Sequence, residues 1–214
     1  MKLYSYWRSS AAYRVRIALG LKGLAYSTAA VDLVSGAQRS GEFLARNPQG
    51  LVPALELDDG TLLTQSSAIL EWLEETHPKP ALYPRDPVER AHCRALCQHV
   101  ACDIHPLNNL RVLAYLRDDL NQQQDAIADW YAHWIQRGFA GLEKAVAAQK
   151  TPFSLGETPG MFELMMVPQM YNARRFSVSL DAFPNLVARD AACADIPAFA
   201  AALPEKQPDA PGNR

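Results

Sequence analysis

A chain of 214 residues, 49% of them apolar, can bury a substantial core as one large domain or two small ones, which excludes overall disorder. Its 21 basic and 23 acidic residues nearly cancel, so no global field would recruit nucleic acid or an anionic membrane. No run approaches the roughly 18 apolar residues that span a bilayer, and MKLYSYWRSS has no apolar signal region before its first arginine. The expectation is a cytoplasmic protein with no nucleic-acid or membrane partner.

Residues 2–7 (KLYSYW) are β-rich, and after Ser9-Ser10 the residues Ala11, Val15, Ala18 and Leu19 follow helical spacing. Gly20 and Gly23 close that helix. YSTAAVD at 26–32 reads as a second strand, parallel to the first if the helix is the crossover. A polar stretch with Gly36, Gly41 and Asn47-Pro48 follows. VPALEL and TLLT then flank Asp58-Asp59-Gly60, a turn signal between two strands of a hairpin. Gln65-Ser66-Ser67 opens a helix with Ala68, Ile69, Trp72 and Leu73 on one apolar face.

The N-terminal part is therefore an α/β unit, βαβ followed by ββα. Residues 77–87 carry Pro78, Pro80, Pro84 and Pro87 and cannot continue a helix. Beyond them, segments at about 87–118, 122–149, 160–176 and 184–203 have helical spacing, with Pro152 and Pro159 marking a break. The division expected is 1–80, a linker at 81–86, an all-α bundle at 87–205 and a flexible tail at 206–214, where KQPDAPGNR is polar and proline-rich.

Cys93, Cys97 and Cys102 crowd one helical segment together with His92, His99 and His105, and Cys193 stands apart. Neither CxxC nor HExxH spacing occurs, so no metal site is expected and the cysteines read as small core-facing residues.

Four stretches carry more. SYWRSSAAYRVRIAL (5–19), NPQGLVPALELDDG (47–60) and LTQSSAILEWLEETHP (63–78) sit in the α/β half, and CDIHPLNNLRVLAYL (102–116) in the helical half. With the βαβ–ββα order, these resemble the zeta class of the glutathione transferases, the group of the maleylacetoacetate and maleylpyruvate isomerases. The resemblance runs from residue 3 to about 200. It implies a thioredoxin-like glutathione-binding domain with a mixed sheet, followed by a helical bundle. It also implies a homodimer that converts a maleyl-keto acid to its fumaryl form in aromatic-compound catabolism, with glutathione as cofactor.

The chemistry that this requires can be assigned to residues. A thiol must be held as thiolate, and Ser9 and Ser10 lie where a hydroxyl and a helix N-terminus can both aim at the sulfur. As bare sequence the same serines read as N-caps of the first helix. The resemblance favours Ser9 as activator, with Ser10 and Arg8 beside it.

It further implies glutathione contacts at Gln49, Val52, Pro53, Gln65, Ser66, Asp103, His105 and Asn109, with a cis junction at Val52-Pro53. The substrate would be a dianion, which guanidinium groups match, and Arg8, Arg111 and Arg175 are the candidate clamp. Arg174 adjoins the last of these.

Two departures stand out. Ala11 replaces the cysteine usual after the two serines, and Pro159-Gly160-Met161-Phe162-Glu163 replaces the usual P-T-L-A-D capping box. Gly160 can still cap and Glu163 can still reach back, so restoring Thr and Asp there is expected to stabilise the fold by about 1 kcal/mol. Two other readings remain: a general transferase or peroxidase for small electrophiles, and a non-catalytic partner-binding protein of the same fold.

Overall fold

The computed structural model describes residues 1–213. Strand β1 (Lys2–Ser5) leads through a short turn into helix α1 (Ser10–Leu21), and β2 (Ser27–Ala30) returns parallel to β1. A short helix α2 (Gly41–Arg46) precedes β3 (Ala54–Glu56) and β4 (Leu62–Thr64), both antiparallel, giving a mixed four-stranded sheet in the order β2-β1-β3-β4. The hairpin turns at Gly60, whose φ of 86° is the left-handed conformation that glycine accepts readily. Helix α3 (Ser66–Thr76) follows.

Helix α2 lies in the stretch that was expected to be merely polar. Its start is nonetheless written in the residues: the Ser40 hydroxyl accepts from the Phe43 N–H, and Glu42 sits in the first turn. Phe43 then packs edge-on against Tyr4, ring centroids 6.0 Å apart, in a cluster with Tyr6, Val31, Val52 and Ala54.

Two compact units emerge: Met1–Ala81 together with the segment from Ala194 onward, and Leu82–Cys193. The second unit holds α4 (Pro87–Gln98), α5 (Leu110–Asp118), α6 (Gln124–Ala147), α7 (Met161–Arg175) and α8 (Pro184–Ala194), which runs to the boundary. The long helix expected at 87–118 is broken: a π-helical turn at His99–Ile104 and a 3-10 turn at His105–Asn108 separate α4 from α5. Pro106 does not force His105 to be extended. His105 stays helical (φ −57°, ψ −44°), and Asn109 is the extended residue that restarts the chain as α5.

Leu82 and Tyr83, in the proline-rich segment read as a linker, are buried, and the Leu82 carbonyl accepts from the Met161 N–H at 2.7 Å. The helix expected at 184–203 is two, α8 and α9 (Pro197–Ala202), since Pro197 opens a new first turn. Helix α9 packs on α1, so closely that a Cβ on Gly20 would stand 3.2 Å from that of Ala198.

Two further expectations are corrected. Cys93, Cys97 and Cys193 are buried, but Cys102 is exposed and donates to Gln98 Oε1 at 3.1 Å. The tail expected to fray is packed: Gln207, Asp209 and Ala210 are all buried, and the Gln207 amide donates to the carbonyls of Ala201 and Leu203. Composition misleads there because polar side chains can satisfy backbone carbonyls as well as water does. Among the described residues no helix is long and apolar enough to cross a membrane, and no group of three or more His, Cys, Asp or Glu converges as metal ligands would.

Candidate active site

Arg8, Ser9, Ser10, Gln65 and Ser66 lie at two helix starts of the first unit, and Gln49, Val52 and Pro53 in the loop before β3. At the β1–α1 turn, Ser9 is the N-cap of α1: its Oγ accepts from the Ala12 N–H at 3.2 Å. A hydroxyl also carries one donor proton. Capping uses only an acceptor lone pair, so the proton stays available for a thiolate, and the two readings of Ser9 are compatible. Ser10 is buried as the first residue of the helix. Arg8 lies over the Trp7 ring, 4.8 Å from its centroid, and reaches the Tyr6 hydroxyl at 3.4 Å.

The start of α3 is built differently. Gln65 occupies the N-cap with φ 67° and ψ 117°, a conformation that costs a non-glycine residue about 1–3 kcal/mol, and no side chain caps the helix. The first-turn N–H groups, which have no intrahelical partner, are thus left for an anion. The Gln65 amide donates to Gln49 Oε1 at 2.8 Å, bringing together two residues predicted from separate segments. Ser66 is buried, and its Oγ accepts from the buried Arg14 guanidinium at 3.1 Å, which turns its own proton elsewhere. The Val52–Pro53 peptide is cis, and both residues lie at the entrance to β3. The unit thus presents a hydroxyl, an uncapped helix start and paired amides, groups whose chemistry suits a negatively charged thiol peptide such as glutathione.

The second unit carries the others. Asp103 is exposed, and its Oδ2 lies 3.2 Å from His99 Nδ1. His105 is half-buried at the boundary between the π and 3-10 turns. Asn109 caps α5 by accepting from the Arg111 N–H at 3.1 Å, and Arg111 itself is exposed. At the end of α7 the two arginines separate. Arg174 pairs with Asp190 at 2.6 Å, whereas Arg175 is exposed and stacks over Phe176 at 4.7 Å. Phe176 in turn stacks on Tyr131 at 3.8 Å. Burial pushes the Tyr131 phenol up, and the Arg175 charge pulls the other way. Burial likewise raises Asp190 against the pull of Arg174.

Sequence reasoning missed Arg14, Arg16 and Asp209. Arg14 and Arg16 are buried on a helix whose neighbours are apolar, and that misplaced charge was the available signal. Nothing in the polar C-terminal stretch marked Asp209, whose Oδ2 accepts from the Trp7 N–H at 2.8 Å.

A βαβ–ββα unit with these two helix starts fits the glutathione-transferase class. The family model described as the N-terminal domain of glutathione S-transferase matches residues 8–76. The maleylacetoacetate isomerase of Pseudomonas aeruginosa is 46% identical over 213 residues, covering 99% of both chains. The holo structure of maleyl pyruvate isomerase, a bacterial zeta-class glutathione transferase, superposes with a TM-score of 0.95 at 46% identity, covering 98% of this chain and 100% of that one. A maleylacetoacetate isomerase from Anaeromyxobacter dehalogenans, solved with dicarboxyethyl glutathione and citrate, gives a TM-score of 0.88 at 48% identity, covering 98% and 97%. The chain belongs to the zeta-class family of maleylacetoacetate and maleylpyruvate isomerases.

Proposed function

We propose that the protein is a glutathione-dependent isomerase that turns the cis double bond of a maleyl-keto acid, maleylacetoacetate or maleylpyruvate, to the trans fumaryl form. The observation that carries this reading is the extent of the match, 46% identity over nearly the whole chain to an isomerase of each kind. Bound glutathione supplies a thiolate that adds to the cis double bond, frees it to rotate as a single bond, and departs unchanged.

The chain's own residues do the rest. Ser9 donates its hydroxyl proton to the sulfur, with the positive end of α1 behind it and Ser10 and Arg8 alongside. The uncapped start of α3 with Gln65 and Ser66 takes the γ-glutamyl carboxylate, and Gln49 steadies Gln65. Val52 and Pro53 meet the cysteinyl backbone, and Asp103, His105 and Asn109 make further contacts. Arg8, Arg111 and Arg175 bind the substrate carboxylates. Arg174, beside Arg175, pairs with Asp190. A neighbour that holds dicarboxyethyl glutathione with citrate supports a substrate rich in carboxylates. The enzyme is further proposed to work as a cytoplasmic homodimer.

The deciding experiment compares turnover of maleylpyruvate, maleylacetoacetate and a neutral electrophile, each with and without glutathione. Isomerisation of at least one maleyl-keto acid, absent without glutathione and far faster than conjugation, is expected. Conjugation of the neutral electrophile with no isomerisation would replace this reading by the general transferase.

A further inference from the structure

We infer that Asp209 is a positioning residue for catalysis, and that the C-terminal segment is a strap fixing the turn that carries Arg8, Ser9 and Ser10. The inference rests on the reading of Ser9 as the group that activates the thiol.

Only four residues join β1 to α1, and inside that turn the Ser9 N–H donates to the Tyr6 carbonyl at 2.9 Å. The other anchors come from outside it, and both are charged side chains. Arg16 Nη2 donates to the Trp7 carbonyl at 3.0 Å, and the Trp7 N–H donates to Asp209 Oδ2 at 2.8 Å. Trp7 is thus held at both polar ends of its backbone, one residue before Arg8 and two before Ser9.

Hydrogen bonds to ionised groups are roughly twice as strong as neutral ones, and neither of these competes with bulk water: Arg16 is 1% and Asp209 7% exposed. The same guanidinium donates through Nε to the Ala202 carbonyl at 3.1 Å and through Nη1 to Ser5 Oγ at 3.2 Å. Strand end, turn, α9 and C-terminal segment are therefore tied into one block.

Burying a carboxylate is costly unless it is well bonded, and an apolar side chain at 209 would hold the segment down at less cost. The carboxylate gives the Trp7 amide a fixed position. A hydroxyl that must meet a sulfur within hydrogen-bond reach depends on that position, since a misplacement of about 1 Å can cost on the order of 100-fold in rate.

The test uses full-length Asp209→Ala, Asp209→Glu and, as reference, Ser9→Ala. For each, kcat and KM for glutathione are measured with maleylpyruvate, and the ultraviolet absorbance of bound glutathione thiolate is followed against pH without substrate. Both Asp209 variants should lower kcat by about fivefold or more, leave KM for glutathione within about twofold, and move thiolate formation to higher pH. Deleting a negative charge would by itself ease thiolate formation, so an upward shift in Asp209→Ala cannot come from the lost charge.

A wild-type kcat and titration in Asp209→Ala overturns the inference. So does a lower melting temperature with an unshifted titration. Should Asp209→Ala not fold, the same two outcomes in Asp209→Glu decide, because that variant keeps the charge and moves only the acceptor. If Ser9→Ala titrates like the wild type, the reading of Ser9 fails instead, whatever the Asp209 variants do.

Discussion

Ser9 caps α1 and is proposed to offer its hydroxyl proton to the sulfur, so its substitution should show two separable effects. Ser9→Ala removes the cap of α1, which costs about 0.5–2 kcal/mol and lowers the melting temperature. It also removes the proton offered to the sulfur, so isomerisation should fall by at least ~10-fold, about 1.4 kcal/mol in the barrier, with glutathione affinity within several-fold. Unchanged turnover alongside a lowered melting temperature would leave Ser9 as a cap only. The arginine pair at the end of α7 offers a matched control. Arg175→Met should reduce kcat/KM for a maleyl-keto acid by at least ~10-fold and spare a neutral electrophile. Arg174→Met, which breaks the Asp190 pair, should reduce it far less. Equal losses in the two variants would move the clamp away from Arg175.

At the level of elements, the start of α7 reverses an expectation. Glu163 is fully buried and accepts from the Gly160 N–H at 2.7 Å, the Ser154 N–H and hydroxyl at 2.9 and 2.6 Å, and Arg189 at 3.1 Å. A Cβ on Gly160 would lie 2.9 Å from the Leu82 carbonyl and 2.7 Å from the Leu155 side chain. Gly160→Thr with Glu163→Asp should therefore destabilise the protein by about 1–3 kcal/mol through overpacking and a shortened carboxylate, visible as a lower melting temperature. Sequence showed half of the box; the missing part was the crowding from a strand of chain nearly eighty positions away.

The β1–β3 pair gives a pH signature. Tyr4 O–H donating to Glu56, with help from Lys2, holds that carboxyl below its ordinary value. A depressed folded value means that the contribution is complete above the unfolded Glu pKa and is lost as pH falls through the folded one. Glu56→Gln should flatten the acid limb of the melting curve; an unchanged slope in thermal scans below neutrality would refute it.

For the whole molecule, the βαβ–ββα order, the hairpin at Asp58-Asp59-Gly60 and the helix starts at Ser9 and Gln65 were legible, because periodicity and turn chemistry are local. The breaks inside 87–118 and 184–203, the burial of Arg14 and Arg16, and the packed end of the chain were not, because each depends on what a distant segment brings to it. The first unit joins Met1–Ala81 to the segment from Ala194 onward, with Arg16 donating to the Ala202 carbonyl. That discontinuity bears on synthesis. At about 5–20 residues per second, a ribosome needs several seconds to build the whole intervening unit. Throughout that delay the nascent thioredoxin-like half has a buried guanidinium bonded to Ser5 and Trp7 but lacking its third acceptor, the Ala202 carbonyl, and the flank of α1 around Gly20 uncovered by α9. The half that emerges first is thus the half completed last, and it is the one a chaperone would have to shelter.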